Sequence, residues 1–470
     1  MALLLVLVGV VVGVVLASSL LLRWNEVRYG NGRRKHGDGC LPPGTMGWPL
    51  FGETTEFLKQ GPSFMKQRRL RYGRLFRTHI LGCPTVVCMD PELNRRMLLQ
   101  GEAGGLVPGY PQSMLDILGR NNIAAVHGPL HRVMRGAMLG LVRPAALRTS
   151  LLPKIDAFMR DHLQGWADVQ AKTKEMALLS ALRQIAGITA GPLSDALKTE
   201  LYTLVLGTIS LPINIPGSSY YQGFQARKKL VSMLEQMIAE RRSSGQAHDD
   251  MLDALLRSGD DGTREKLSDE QIIDLLIALI YSGYETMSTT SMMAVKYLSD
   301  HPRALEELRR EHLDIRQGKS PEEAISYDDF KSMAFTRAVI SETLRLATVV
   351  NGLLRKTTKD VEMNGYVIPK GWRIYVYTRE INYDPFMYPD PMTFNPWRCL
   401  KKNMESHPHF MLFGGGGRMC PGKEVGTAEI ATFLHYFVTR YRWDEEGQNT
   451  ILKFPRVEAP NGLHIRVQDY

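Results

Sequence analysis

The chain opens on an almost uninterrupted apolar stretch, residues 2–22, diluted only by Ser18, Ser19 and two glycines. As a helix rising ~1.5 Å per residue it would be ~30 Å long, enough to cross the hydrocarbon core of a bilayer. Cationic residues follow between Arg23 and Lys35, and such residues hold the downstream chain on the cytoplasmic side. A cleaved signal peptide is the alternative, but no basic region precedes the apolar run. The pattern predicts an uncleaved single-pass anchor at 2–22.

A basic and proline-rich connection follows at residues 23–52. Pro42 and Pro43 in "LPPGTMGWPLFGE" cannot continue a helix and favour a stiff extended strut. Residues 53–470 contain no internal repeat or low-complexity linker, and the likeliest interruption is a loop beginning at Ser258. The organisation therefore predicts an anchor, a strut and one large domain at 53–470.

The longest helical pattern runs from Asp269 to Asp300 without a proline, which would make a helix of about 48 Å. Ser268 and Gln271 form a capping-box signature at its start. Its first half is apolar nearly all round, which predicts a helix through the core. Its middle, "SGYETMSTT", places Gly283, Glu285 and Thr286 in that core. The helix is either ordinary, with the threonine bonded back to a carbonyl, or loosened there for a ligand and a proton relay.

A second helical pattern covers "FKSMAFTRAVISETLRLA", residues 330–347. Its apolar stripe includes Phe335 and Val339, and Glu342 and Arg345 fall on the same face. An exposed pair at this spacing would contribute only about 0.2–0.5 kcal/mol. The stripe instead predicts a buried ion pair, which needs further hydrogen-bond partners to offset its desolvation.

Composition changes this picture little. Hydrophobic residues make up 44 % and charged residues 23 % of the chain, as in globular proteins with a substantial core. The net charge of +9 suits an acidic partner or a membrane surface. The basic residues are dispersed and accompany no nucleic-acid-binding motif, so no nucleic acid partner is expected. Five cysteines without repeated spacing argue against a disulfide framework. Cys83 and Cys88, in a strand-like stretch, are expected to be buried free thiols.

The stretch "FMLFGGGGRMCPG", residues 410–422, concentrates candidate chemistry. Consecutive glycines allow a backbone to approach another body closely. Pro421 is a favoured first helical residue, so Cys420 is expected at a helix N-terminus, where amides and the helix dipole favour a thiolate. Such a thiolate could be an axial ligand of haem iron, with Arg418 paired to a propionate. On this stretch alone a structural or redox thiol is the alternative.

Four motifs together resemble the cytochrome P-450 family. F-x-x-G-x-R-x-C-x-G is matched by Phe413, Gly416, Arg418, Cys420 and Gly422. E-x-x-R is matched by Glu342 and Arg345, and Arg398 follows in "FNPWRCL". The helix carrying Gly283 to Thr286 precedes them. The resemblance implies a mainly α fold with a smaller β region, a single large haem-thiolate monooxygenase fold behind one N-terminal transmembrane helix.

The same resemblance assigns roles to residues. Cys420 would be the axial ligand of the iron of haem b. Glu285 and Thr286 would deliver protons for the activation of O2, although Ser282 and Met287 depart from the family pattern beside them. A structural triad would comprise Glu342, Arg345 and Arg398. The remaining haem-binding residues would be His131, Arg135, Arg355, Arg418, Phe413, Gly416 and Gly422.

Longer stretches, among them "GYPQSMLDILGRNNIAAVHGPLHR" and "KEVGTAEIATFLHYFVTRYRW", resemble the plant steroid-oxidising branch, the brassinosteroid C-6 oxidases of cereals. This implies oxidation of 6-deoxocastasterone to castasterone through the 6-hydroxy steroid, at the endoplasmic reticulum membrane. It also implies electrons from NADPH through a reductase, since nothing in the chain resembles a flavin or nicotinamide site. Candidate docking residues for that reductase are Lys401, Lys402, Lys423 and Arg440.

A rigid steroid requires a mostly apolar pocket with a few polar anchors. Asn351 is the polar candidate, and any single apolar candidate is equally well explained as core. The candidates are Leu118, Ile123, Ile277, Ile280, Tyr281, Val349, Val350, Asn351 and Leu354. Alternative functions are a steroid side-chain hydroxylase acting at C-22 or C-23, a haem hydroperoxide isomerase that needs no reductase, and a steroid sensor without catalysis.

Overall fold

The computed structural model describes residues 13, 23–30, 40–49, 51–163, 166, 168–257, 266–320, 322–401 and 404–470. They form two compact units. The first comprises the described residues up to Pro111 together with Gly352–Ile381, and the second comprises Gln112–Asn351 and Asn382–Tyr470.

The first unit is built on a five-stranded sheet in the order β1-β2-β7-β4-β3. All neighbours pair antiparallel except β2 and β7, which are parallel, with Thr85 opposite Arg373. A separate hairpin joins β5 and β6. The elements of this unit are α1 (Trp24–Gly30), α2 (Thr54–Gln60), α3 (Pro62–Tyr72), β1 (Leu75–Ile80), β2 (Cys83–Cys88), α4 (Pro91–Gln100), β3 (Leu106–Pro108), β4 (Gly352–Thr357), β5 (Val361–Met363), β6 (Tyr366–Ile368) and β7 (Arg373–Tyr377).

The proline-rich segment packs along this unit. The carbonyl of Pro43 accepts a hydrogen bond of 2.8 Å from the Arg77 amide on β1. On β2, Cys88 is buried and Cys83 half-buried, and both are free thiols. The predicted anchor at 2–22 lies outside the described residues except for Gly13. Among the helices that the structure describes, none combines the length and apolarity needed to span a bilayer.

The second unit is mainly helical and carries two two-stranded sheets, which pair Tyr441–Glu445 with Ile465–Asp469 and Leu452–Lys453 with Val457–Glu458. A π-helical turn, Leu147–Leu151, joins α7 to α8, and α17 begins at the end of the first unit. The elements are α5 (Gln112–Leu118), α6 (Gly128–Leu141), α7 (Pro144–Ala146), α8 (Leu152–His162), α9 (Val169–Ala186), α10 (Pro192–Thr208), α11 (Ser219–Ser244), α12 (Met251–Leu256), α13 (Asp269–Asp300), α14 (Pro302–Arg316), α15 (Tyr327–Ser332), α16 (Ala334–Ala347), α17 (Arg379–Asn382), α18 (Trp397–Lys401), α19 (Lys423–Arg440), β8 (Tyr441–Glu445), β9 (Leu452–Lys453), β10 (Val457–Glu458) and β11 (Ile465–Asp469).

The long helix α13 has the bounds that the sequence predicts and begins with the predicted capping box of Ser268 and Gln271. It passes through two hydrophobic clusters. The first cluster takes its residues from Ile272 to Tyr284, and the second begins at Met287. Glu285 and Thr286 therefore lie where one apolar core ends and the other begins.

The second predicted helix, over 330–347, is interrupted. Met333 leaves helical geometry with φ −66° and ψ 68°, so α15 and α16 are separate. The Glu311 carboxylate accepts hydrogen bonds from the amides of Phe335 (2.7 Å) and Thr336 (2.9 Å). It thereby satisfies the first donors of α16, which have no partner within the helix. A periodic apolar stripe does not reveal such a break, because the stripe continues across it.

Candidate functional site

The pair on α16 is fully buried. The Arg345 guanidinium donates to both carboxylate oxygens of Glu342, each bond 2.8 Å long, and the two side chains are 1 % and 0 % exposed. Burial alone would lower the pKa of Arg345, but the hydrogen bonds and charge of Glu342 leave it above its ordinary value. The apolar stripe that predicts a buried pair thus corresponds to the observed geometry.

Arg398, on α18, completes a triad around Glu342. Its Nε donates to Glu342 Oε1 at 3.0 Å, and the backbone amide of Asn395 donates to the same oxygen at 3.0 Å. Arg345 also donates to the carbonyls of Asn382 and Pro391, each at 2.7 Å. These bonds satisfy the buried charges and attach the chain of 382–398 to α16.

Cys420 ends the glycine-rich loop. Its amide donates to the carbonyl of Phe413 at 2.8 Å, which closes the loop. Gly414 and Gly416 take φ values of 75° and 64°, a region that favours glycine. The Cys420 side chain is exposed, yet enough protein surrounds it to raise the pKa of its thiol.

The predicted helix start at Pro421 is wrong by two residues, since α19 begins at Lys423. As predicted, a backbone amide near the start of this helix favours the thiolate of Cys420, although burial has the larger effect. Burial raises the pKa of Cys420, and the Gly422 amide and the charge of Arg135 only partly oppose that effect. A bound metal cation would act against this effect of burial and stabilise the thiolate.

Two guanidinium groups lie close to Cys420. Arg135 on α6 donates to the carbonyl of Met419 at 2.9 Å, and Arg418 donates to the carbonyl of Val126 at 2.7 Å. Burial first, and then the positive charge of Arg418, lowers the pKa of Arg135. His131, one turn earlier on α6, is buried. Two neighbouring like charges are an arrangement that an anionic ligand would stabilise.

In the middle of α13, Ser282 and Thr286 are exposed although the helix on either side is buried. They are one turn apart and share a face. Thr286 Oγ1 donates to the Ser282 carbonyl at 2.8 Å, which is the ordinary back-bonded arrangement. Its oxygen lone pairs remain available to accept a hydrogen bond from the open side.

Glu285 lies about 100° around the helix from Thr286 and is held by the C-terminal sheet region. Its Oε1 is 3.8 Å from Nη1 of Arg456, which precedes β10. Burial raises the pKa of Glu285, while the charges of Arg456 and Lys174 act in the opposite direction. The structure does not join Glu285 to Thr286 through a hydrogen bond among the described residues.

The cysteine region and the centre of α13 belong to one packed structure. A Cβ placed on Gly426, in the first turns of α19, would lie 3.4 Å from Met287 Sδ. Met287 follows Thr286, and Gly426 accompanies the loop that ends at Cys420. Gly283 meets α9 similarly, since a Cβ there would lie 3.6 Å from that of Ala181.

The pocket candidates separate into groups. Ile277 and Ile280 line a small apolar cavity of about 10 Å³ enclosed by leucines of α9, α10 and α11, and Ser282 and Thr286 are not among its lining residues. Leu118 is buried, Ile123, Tyr281, Val349 and Asn351 are half-buried, and Val350 is 46 % exposed. Leu354 and Arg355 belong to β4 of the first unit, where Leu354 is half-buried and Arg355 is buried.

Sequence reasoning missed two partners. Arg456 is 171 positions from Glu285, and no local signal connects them. Asp274 is buried on α13 and accepts hydrogen bonds from Arg227 and from the amide of Asn121. The sequence could have identified Asp274 as a buried acid, because it is the one acidic residue inside the apolar run "IIDLLIALI".

These residues fit haem. A single accessible thiol receives an amide hydrogen bond, two guanidinium groups lie beside it, and positions 417 and 422 have open space where a Cβ would stand. Thiolate ligation with nearby amide donors is how haem-thiolate proteins hold iron. Cys420 would ligate the iron, and Arg135 and Arg418 would face its propionates.

Comparison with known proteins agrees with this geometry. The family model described as Cytochrome P450 matches residues 193–463. The chain is 87 % identical over 469 residues to a protein named Cytochrome P450 85A1 from Brachypodium distachyon, covering 99 % of each chain. It is 82 % identical to Cytochrome P450 85A1 of Oryza sativa subsp. japonica, covering 99 % of this chain and all of the relative. A solved structure, retinoic acid bound cyanobacterial CYP120A1, matches with TM-score 0.83 and 28 % identity over 92 % of this chain and 99 % of that chain.

Proposed function

The chain belongs to the cytochrome P450 family as a haem-thiolate monooxygenase, and on that premise we propose that it oxidises C-6 of 6-deoxo brassinosteroid precursors. The substrate is 6-deoxocastasterone. A first turnover inserts one oxygen atom into a carbon–hydrogen bond at C-6, and a second oxidises the carbinol to the ketone, castasterone. Each turnover consumes one O2, two electrons and two protons, and the oxygen atoms not retained leave as water.

The observation that carries this proposal is similarity over essentially the whole chain. The chain is 87 % and 82 % identical to two cereal proteins of the same name, each alignment covering 99 % of this chain. The stretches that resemble brassinosteroid C-6 oxidases lie within the matched region. The identity of the substrate rests on that likeness.

Bound haem supplies the iron at which O2 is activated. Cys420 would hold that iron, and buried apolar residues of α13 precede and follow residues 285–286. Thr286 would accept a hydrogen bond at Oγ1 on its exposed face, because its own proton is donated to the Ser282 carbonyl. Glu285, which lies 3.8 Å from Arg456, would be the group that exchanges protons with solvent. Proton delivery therefore requires a water or a side-chain movement between these two residues.

We also propose membrane attachment through residues 2–22 at the endoplasmic reticulum, with the catalytic domain facing the cytoplasm, where an NADPH-dependent reductase supplies electrons. The net charge of +9 suits both an anionic lipid surface and an acidic reductase. Among the docking candidates, Lys423 is bonded to Glu405 at 2.9 Å and Arg440 to the carbonyl of Arg160 at 3.1 Å. Lys401 and Lys402 complete that set, and Lys402 lies outside the described residues.

The deciding experiment supplies full-length protein in membranes with reductase and NADPH and follows products by mass spectrometry. Paired 6-deoxo and 6-oxo steroids are the substrates. The expected result is sequential appearance of the 6-hydroxy steroid and castasterone from the 6-deoxo series. A side-chain hydroxyl gained by 6-oxo substrates, with no ketone formed from 6-deoxo substrates, would overturn the proposal in favour of a C-22 or C-23 hydroxylase. Turnover of a hydroperoxide without NADPH would identify an isomerase instead.

A further inference from the structure

The segment Gly119–Val126 joins α5 to α6 and is held at its first end by a buried carboxylate of α13. Asp274, 1 % exposed, accepts a hydrogen bond of 3.0 Å from the amide of Asn121 through Oδ2. Gly119 has φ +93°, and a Cβ there would lie 2.1 Å from the carboxyl carbon of Asp274. The backbone therefore runs directly against this carboxylate, and only glycine permits the approach.

The segment is also fixed internally. The buried Asn122 side chain accepts hydrogen bonds from the amides of Ala124 (2.8 Å) and Ala125 (3.1 Å) and donates to the carbonyl of Gly119. One side chain thus closes the turn formed by residues 119–125. Because of these hydrogen bonds, a change at Asp274 is expected to displace the segment as a whole.

Its second end reaches the cysteine loop. The carbonyl of Val126 accepts the 2.7 Å hydrogen bond from Arg418, two residues before Cys420. Residues 119–126 consequently extend between α13 and the loop that carries the haem ligand. Ile123, a pocket candidate, lies within the segment, and Leu118 directly precedes it.

The charge of Asp274 is balanced by Arg227 of α11, whose Nη2 donates to Oδ1. A buried carboxylate needs such a partner to stay ionised at moderate cost. The same α11 is joined to α5 by the hydrogen bond from the Tyr220 hydroxyl to Asp116, 2.9 Å long. The Cδ1 atom of Ile117 lies where α10 and α11 cross, at Gly207 and Gly223. Arg227 and Asp274 therefore connect α11 to α13, and α11 in turn contacts α5.

We propose that Asp274 is a positioning residue that holds the segment Gly119–Val126 in place and thereby sets the affinity of the site for its substrate. Asp274 is twelve positions from Thr286, about 18 Å along the helix, so it acts through the segment and not on the reacting atoms. The inference rests on the proposed function only for the identity of the steroid used as probe.

The test compares full-length, haem-loaded Asp274→Asn with wild type. Asparagine keeps an acceptor for the Asn121 amide but loses the charge that pairs with Arg227. Asp250→Asn is a matched control, because Asp250 likewise accepts from an arginine of α11, Arg241 at 2.7 Å, and from a backbone amide, Asp253 at 2.9 Å, without contacting the segment. Asn122→Ala, which loosens the segment and leaves the ion pair intact, is the second variant.

The first readout is hydrogen exchange of peptides covering residues 119–126, which needs no substrate. Asp274→Asn weakens the hydrogen bond from the Asn121 amide by removing the charge of its acceptor, and Asn122→Ala removes the acceptor of the Ala124 and Ala125 amides. Exchange in both variants is therefore expected to be about tenfold faster. The second readout is steady-state oxidation of 6-deoxocastasterone, with KM expected to rise about tenfold and kcat to stay within about twofold. Asp250→Asn is expected to change neither quantity.

Exchange within about twofold of wild type in both segment variants would overturn the proposal, as would an equal rise of KM in Asp250→Asn. If wild type does not oxidise 6-deoxocastasterone, the proposed function fails, and spectral titration with 4-phenylimidazole replaces the KM measurement. Weakened azole binding together with faster exchange would then uphold the role of Asp274, and unchanged binding would refute it.

Discussion

Replacing Glu342 with glutamine tests how the triad supports the protein. Glu342 accepts from Arg345 Nε, Arg345 Nη2, Arg398 Nε and the Asn395 amide, and it is 0 % exposed. Glutamine is nearly isosteric but removes the negative charge and turns an amide group towards these donors. Two guanidinium groups then lose their buried counter-charge.

The expected destabilisation is about 3–5 kcal/mol, the usual cost of breaking a buried ion pair by removing one partner. Since folded domains are stable by only about 5–15 kcal/mol, Glu342→Gln should lose much of its haem even where it folds. Glu307→Gln is the control, because Glu307 and Arg310 have the same i,i+3 spacing but are 34 % and 67 % exposed. An exposed pair contributes at most about 1 kcal/mol.

The assay combines urea unfolding followed by circular dichroism with haem content per protein. The account predicts a large fall in unfolding midpoint and in haem content for Glu342→Gln, and little change for Glu307→Gln. A Glu342→Gln protein within about 1 kcal/mol of wild type, with full haem content, would refute the reasoning that these bonds hold residues 382–398 on α16.

Three further substitutions test other parts of the site. Thr286→Ala should retain haem, as judged by its spectrum, but lose most product per NADPH consumed, and unchanged coupling would contradict a role for this hydroxyl. Burial raises the pKa of Glu429 in the folded protein, so the unfolded chain loses this proton at lower pH and the stability of wild type falls as pH rises above about 4.3. Glutamine does not ionise, so the stability of Glu429→Gln relative to wild type should be higher at pH 8 than at pH 4. A difference in urea midpoint that does not change with pH would contradict this. Gly283→Ala should raise the free energy of unfolding by about 1 kcal/mol, because the new Cβ meets Ala181 at 3.6 Å without overlap; a destabilised protein in the same urea assay would contradict the packing.

The elements predicted best are those specified by local pattern. The capping box at Ser268 and the absence of proline before Pro302 define α13, and its observed bounds are Asp269–Asp300. The apolar stripe of α16 places Glu342 and Arg345 in the interior. In each case the sequence pattern that predicts the structure lies within one helix, so it can be interpreted without knowing which distant residues are in contact.

The parts not predictable depend on contacts between distant residues. Met333 interrupts a continuous stripe because Glu311 of α14 caps the following helix. Burial prevails over the amide at Cys420, which reverses the pKa direction expected from its place in the sequence. Glu285 has Arg456 as its nearest ion-pair partner among the described residues. None of these effects can be recognised from the few residues adjacent in sequence to the position concerned.

The account depends most on ligation of iron by Cys420. The most direct test is the difference spectrum of reduced, haem-supplied protein with carbon monoxide, for wild type, Cys420→His and Cys399→Ser. The account predicts the strongly red-shifted band of thiolate-bound iron in wild type and Cys399→Ser, and its loss in Cys420→His. A folded, haem-loaded wild type without that band, or a Cys420→His protein that keeps it, would contradict the assignment.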